Sequence, residues 1–132
     1  MPSTINITTN TKKEGQLRVG FATNDQENID AHFGSAKQFC VYDVDTQGST
    51  ISSIITIDTK DTDATVALLD GVDIVYFVNI GPTAAAKIIN SGIFPIKYKE
   101  VVSIANELEK LSSMLGTNPP PFIKKIVQKK AA

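Results

Sequence analysis

The chain has 132 residues, a formal net charge of −1, 42% hydrophobic and 20% charged residues, which excludes a disordered polymer and fits one domain of the usual ~100–150 residues. No apolar run approaches the ~18–20 residues of a bilayer span, and the single cysteine, Cys40, excludes an internal disulfide and an all-cysteine metal or iron–sulfur site. A cytoplasmic protein with no membrane partner is expected.

Residues 1–15 are polar, rich in Thr and Asn, and read as a flexible tail. Residues 17–23 read as a strand, with Leu17, Val19 and Phe21 on one face and the small Gly20 and Ala22 on the other. The polar loop 25–37 holds His32, the only histidine. Residues 39–44 are a second strand, residues 45–49 a hairpin turn, and residues 50–57 a third strand rich in β-branched side chains. Asp61, Thr62 or Asp63 can cap a short helix with Ala64, Ala67 and Leu68 as its apolar face and Gly71 as its stop. Residues 72–80 are almost wholly apolar, the mark of a strand covered on both faces.

Gly81-Pro82 opens the next helix, because the N–H that proline lacks is not needed in a helix's first turn. Its inner face is expected to be Ala85, Ile88 and Ile89, with Gly92 ending it. Residues 94–98 form a short strand, and Pro95 within it points to a sheet edge. Val101, Ile104, Leu108, Leu111 and Leu115 make one stripe of the last helix, which Gly116 stops. Asn118 to Pro121 reads as a rigid spacer and residues 122–127 as a short amphipathic basic end. Residues 16–116 therefore form a single binding domain, and residues 117–132 a Pro-rich, basic C-terminal extension.

The order β-β-β-α-β-α-β-α predicts an α/β fold. Three hairpin-linked antiparallel strands come first, then two parallel strands reached through helices, giving a mixed five-stranded sheet with helices on its faces. By fold analogy this is the ribonuclease-H-like arrangement, in which the first strand lies parallel beside the fourth.

Parallel neighbours end on the same edge of the sheet, where ligands of open α/β sheets sit. Two loops meet there: residues 24–34, with Asn24, Asp25, His32, Phe33 and Gly34, and residues 79–83, with Gly81, Pro82 and Thr83 at a helix N-terminus that suits an anion. His32 is a candidate metal ligand through either ring nitrogen. Phe33 could wall an apolar pocket, and Gly34 would let backbone approach a bulky ligand. The plainer alternatives are an ordinary loop histidine, a strand-to-helix turn, and Asn24 and Asp25 bonded to their own loop. Cys40 reads as a small buried apolar side chain.

Charge is uneven. Residues 21–80 hold ten acids against Lys37 and Lys60, and residues 81–132 hold eight lysines against Glu100, Glu107 and Glu109. The acidic middle argues against a nucleic-acid partner. The basic C-terminal part could meet an anionic ligand or an acidic partner, although the pairs Lys124-Lys125 and Lys129-Lys130 also read as a solvated face. Enzyme readings fare poorly: no Ser–His–Asp order, P-loop or Rossmann glycine pattern is present, and residues 17–23 lack the carboxylates of a two-metal nuclease.

The stretch Ile29-Asp-Ala-His-Phe-Gly-Ser-Ala36 followed by Phe39-Cys-Val-Tyr-Asp-Val44 resembles the dinitrogenase iron–molybdenum cofactor biosynthesis family, most of all its NifX-type members. Ile80-Gly-Pro-Thr-Ala-Ala-Ala-Lys-Ile88, Ile93-Phe-Pro-Ile-Lys97 and the Asn-Pro-Pro-Pro stretch extend the likeness over roughly residues 16–127. The resemblance implies nitrogen fixation as the setting and a non-catalytic carrier as the activity. Its cargo would be the iron–molybdenum cofactor or its iron–sulfur precursor, passed between assembly proteins. His32 would be the cluster ligand and Ile80 to Thr83 the opposite wall. Implied partners are cofactor-assembly scaffolds and cofactor-synthesising proteins, with apo-dinitrogenase as a further candidate, for a chain expected to be a monomer or weak dimer. The alternative is an interaction adaptor of cofactor assembly that binds no cluster. An anionic cargo needs a neutral or positive cleft, expected from the helix end and lysines such as Lys87.

Overall fold

The computed structural model describes residues 17–117 and 119–131. The expected tail, residues 1–15, lies outside the described residues. Among the described residues seven strands and four α-helices follow one another as β1 (Leu17–Thr23), β2 (Asn28–Ile29), β3 (Gln38–Asp45), β4 (Gly48–Thr56), α1 (Thr62–Leu68), β5 (Ile74–Phe77), α2 (Pro82–Asn90), β6 (Phe94–Lys97), β7 (Val102–Ser103), α3 (Ile104–Gly116) and α4 (Pro121–Ala131). A 3₁₀ turn, Phe33–Ser35, sits inside the polar loop.

The main sheet has five strands in the order β4-β3-β1-β5-β6. β1 is antiparallel to β3 and parallel to β5, with Val19 beside Ile74 and Phe21 beside Tyr76. This is the mixed α/β sheet that the element order predicts. β6 is an edge strand, so Pro95 removes no ladder bond that a neighbour would need. The small second sheet pairs β2 with β7 and was not foreseen; each strand is two residues long, too short for a periodicity to show.

The sheet divides the core in two because successive side chains on a strand point to opposite faces. Leu17, Val19 and Phe21 of β1 join Ile74, Tyr76, Ile104, Leu108, Leu111 and Ile123 on the face covered by α3 and α4. Ala22, Phe39, Val41, Val75 and Phe77 join Val66, Leu69 and Ile88 on the face covered by α1 and α2. Every residue of β5 is buried, as expected of a strand covered on both faces.

Three packing expectations need correction. The buried residues of α1 are Thr65 and Val66, followed by Leu69, while Leu68 is largely exposed. On α2 only Ile88 is buried; Ile89 faces solvent, since a nine-residue helix over one sheet edge offers too narrow a stripe to bury adjacent positions. Val101 precedes β7 and is exposed, so the stripe of α3 starts at Ile104 and takes in Glu107. Two caps fall where the sequence puts them: Asp61 accepts the Asp63 N–H at the start of α1, and Gly71 takes the left-handed φ of +91° behind its end.

The stretch expected as a Pro-rich basic extension holds α4, and this helix is docked. Ile123 is fully buried, and Phe122 stacks on Phe94 of β6 with ring centroids 4.4 Å apart. Lys124 and Lys125 are exposed.

Candidate functional site

The chain leaves β1 at Thr23 and makes a tight polar loop. Thr23 Oγ1 accepts the N–H groups of Asp25 and Gln26, and Asp25 Oδ1 accepts those of Glu27 and Asn28, each of the latter two at 2.8 Å. The Asn28 side-chain amide donates to Asp25 Oδ2 at 2.8 Å. These donors, the Asn28 amide foremost, pull the exposed Asp25 carboxyl down to about 2. They also hold Gln26 at φ +67°, a left-handed conformation that side-chain-bearing residues avoid. Asn24 accepts from the Lys37 N–H and gives its own N–H to Asp30. Asn24 and Asp25 therefore serve their own loop, the plainer of the two sequence readings.

The loop then crosses to β5. β1 pairs with β5 up to Phe21–Tyr76; beyond it, the His32 segment takes over that neighbouring place. His32 and Asn79 form an isolated parallel bridge: Val78 N–H donates to the Ala31 carbonyl at 2.9 Å and Phe33 N–H to the Asn79 carbonyl at 2.8 Å. Two loops distant in sequence are thus tied by main-chain bonds at the carboxyl end of the parallel strands. His32 itself is exposed.

Around that bridge lies an open depression of about 350 Å³ lined by His32, Gly34, Ser35, Asn79, Ile80 and Gly81. Among the described residues no carboxylate lines it, which suits a ligand carrying negative charge. Asn79 Oδ1 accepts the Ile80 N–H at 2.8 Å and shapes the turn into α2. Gly81 is the N-cap of α2, with no capping side chain over the helix end. Pro82 has no N–H to offer, and the N–H groups of Thr83 and Ala84 lie in the first turn, where no intrahelical acceptor exists.

Of the residues singled out in the sequence, His32, Gly34 and Gly81 share the depression. Pro82 and Thr83 follow just past its rim, and Asn24 and Asp25 do not line it. Phe33 is a correction. It is buried at 3% exposure, with its ring against Phe39 and Phe77, and forms the floor of the α1–α2 core instead of a wall of the depression. Alternation explains this: Phe33 follows the exposed His32, and its ring has the larger apolar surface to hide. A Cβ on Gly34 would meet nothing within 4 Å, so the opening there is real. Ser35 was not foreseen; its place next to Gly34 in the same short turn was the available signal.

Lys87 is a second correction. Its ammonium lies 2.8 Å from Asp63 across the gap between α1 and α2, and helps line a separate hollow of about 630 Å³ that shares no residue with the His32 depression. The helix end and the neutral lining are left to set the polarity at His32. Cys40 is buried at 1% exposure on β3, and burial raises its thiol pKa. Among the described residues no group of three or more His, Cys, Asp or Glu side chains is arranged to hold a metal ion. No helix among them is long and apolar enough to cross a membrane.

The family model for dinitrogenase iron–molybdenum cofactor matches residues 15–114. The NifX protein of Rhodobacter capsulatus is 35% identical over 127 residues, covering 86% of this chain and 79% of that protein. The NifX protein of Sinorhizobium fredii is 31% identical over 129 residues, covering 88% and 81%. The crystal structure of PH0822 superposes with a TM-score of 0.61 at 20% identity, covering 73% of this chain and 90% of that one, a likeness of fold. By the extent of the family match and the identity to NifX, the chain belongs to the dinitrogenase iron–molybdenum cofactor family.

Proposed function

We propose that this chain is a non-catalytic carrier in iron–molybdenum cofactor biosynthesis, holding the cofactor or its iron–sulfur precursor at His32 and handing it on between assembly proteins. Family membership and the NifX relatives support the biosynthetic role. One observation carries the mechanism: an exposed imidazole stands across a carboxylate-free depression from the Asn79–Gly81 turn and the start of α2.

The chemistry follows from what a preassembled cluster needs. Its own sulfides already hold the irons, so the protein need not supply a cage. One imidazole nitrogen gives a single bond to iron. Gly34 leaves room for a bulky body beside the backbone. The first-turn N–H groups of α2 offer donors and a partial positive charge to the anion. A carrier has to let go, and one ligand plus hydrogen bonds is easier to exchange than several thiolates. The partners this implies are assembly scaffolds, cofactor-synthesising proteins and apo-dinitrogenase.

The test is anaerobic mixing of the pure protein with isolated cluster, read by spectroscopy and gel filtration. The wild type should co-elute with the cluster. His32→Ala should keep its fold and bind at least about tenfold more weakly, the loss of ~1.4 kcal/mol or more. Unchanged affinity in that variant rejects His32 as the ligand. The adaptor reading draws on the exposed Lys124 and Lys125 of the docked α4. Reversing both charges should leave cluster binding unaltered and weaken capture of an acidic partner if that reading holds.

A further inference from the structure

The two edges of the main sheet are unequal. The β6 edge is short, carries Pro95 and ends on Lys97, two ordinary devices against strand addition. The β4 edge has neither. β4 is nine residues long, GSTISSIIT, and lies inside a run of twelve uncharged residues, 46–57, that also lacks proline. Its residues from Ser49 to Ile54 are all exposed, with Ile51 at 50% and Ile54 at 43%.

From this edge we infer that the chain self-associates, β4 pairing antiparallel with β4 of a second copy so that two five-stranded sheets become one. The inference is independent of the cargo assigned to His32.

The choice of a second copy rests on charge and register. In a two-fold interface every residue meets the same surface of its partner, so any charge near the axis meets its like. The middle of this chain is strongly acidic, with ten acids and two lysines over residues 21–80, yet the β4 edge brings no charge to the axis. The register is self-matching as well. A bulge leaves Ser52 unpaired on β4: Ser53 lies opposite Val41 and Ile51 opposite Tyr42. Ile54 lies opposite Cys40, so Ile51 and Ile54 sit opposite two β3 residues that share a face, and are brought to one side of the sheet. Antiparallel pairing about a dyad between Ser52 and Ser53 sets Ile51 against the Ile54 of the second copy, and Ile54 against its Ile51. Cross-strand apolar pairs of this kind stabilise sheets. The contact is small, so a weak, concentration-dependent dimer is expected.

Sedimentation velocity of the full chain, from low micromolar to near-millimolar concentration, should show monomer passing to dimer. Hydrogen exchange over the same range should show amides of residues 48–56 becoming protected as the dimer forms. Ile54→Lys places on this edge the residue that natural edges use for protection, and should raise the dissociation constant at least about tenfold. A monomer at every concentration overturns the inference, as does a dimer without new protection in residues 48–56. Protection of those amides that is already complete in the monomer also overturns it, since the edge would then be covered from within. Should Ile54→Lys fail to fold, the exchange data on the unaltered chain still decide.

Discussion

Phe33 gives its backbone N–H to the carbonyl of Asn79 while its ring is buried between Phe39 and Phe77, so one residue both closes the His32 bridge and anchors it in the core. Phe33→Ala would empty that space and should destabilise the fold by about 3–5 kcal/mol, with Phe33→Leu costing clearly less. Urea unfolding measures both. Cluster binding by Phe33→Leu, assayed well below its unfolding midpoint, should stay near wild type, because the ring does not line the depression.

The Asp25 carboxyl organises the first loop, and its titration gives a sign that can be checked. Its folded pKa of about 2 lies below the usual 3.8, so its contribution is fully present above about pH 4 and disappears as pH falls through 2. NMR titration should place the Asp25 carboxyl midpoint near 2, with the Glu27 and Asn28 amide signals moving in step. Asp25→Ala should speed hydrogen exchange at those two amides at neutral pH, and leave the exchange of β5 unchanged.

Tyr98 donates a short hydrogen bond to the almost fully buried Glu107, which ties the loop after β6 to α3. Tyr98→Phe leaves the Glu107 carboxylate with the Lys110 ammonium 3.8 Å away, and should cost about 1.5–3 kcal/mol, the range for hydrogen bonds to charged groups. Guanidinium unfolding of the variant checks this.

Alkali should act on the same region. Burial chiefly, and Glu107 secondarily, raise the pKa of both Tyr76 and Tyr98 above the ordinary 10. The folded state holds these protons more tightly than the unfolded chain does. Stability from them is therefore complete below pH 10 and falls as pH rises beyond it. Thermal melts at pH 9, 10 and 11 should show the decline beginning at 10, and in Tyr98→Phe it should be shallower.

Much of the architecture is legible in the residues. The alternation of Leu17, Val19 and Phe21, the unbroken apolar run through β5 and the stops at Gly71 and Gly92 fix strand and helix ends through local physics. The rule that ligands gather at strand carboxyl ends brings His32 and Gly81 together before any coordinates. What escaped depends on depth and partner. Ile89 and Leu68 are apolar enough for a core, yet their exposure is decided by how much sheet lies beneath each helix. Lys87 looks available to an anion until α1 brings Asp63 beside it. Ser35 enters the site through the short turn after His32, which no side-chain pattern announces.

The depth of Cys40 has a practical corollary. With its sole sulfhydryl sealed inside the sheet, the polypeptide offers oxidants and stray thiols no accessible cysteine. Handling in air without reductant should therefore leave that thiol unmodified.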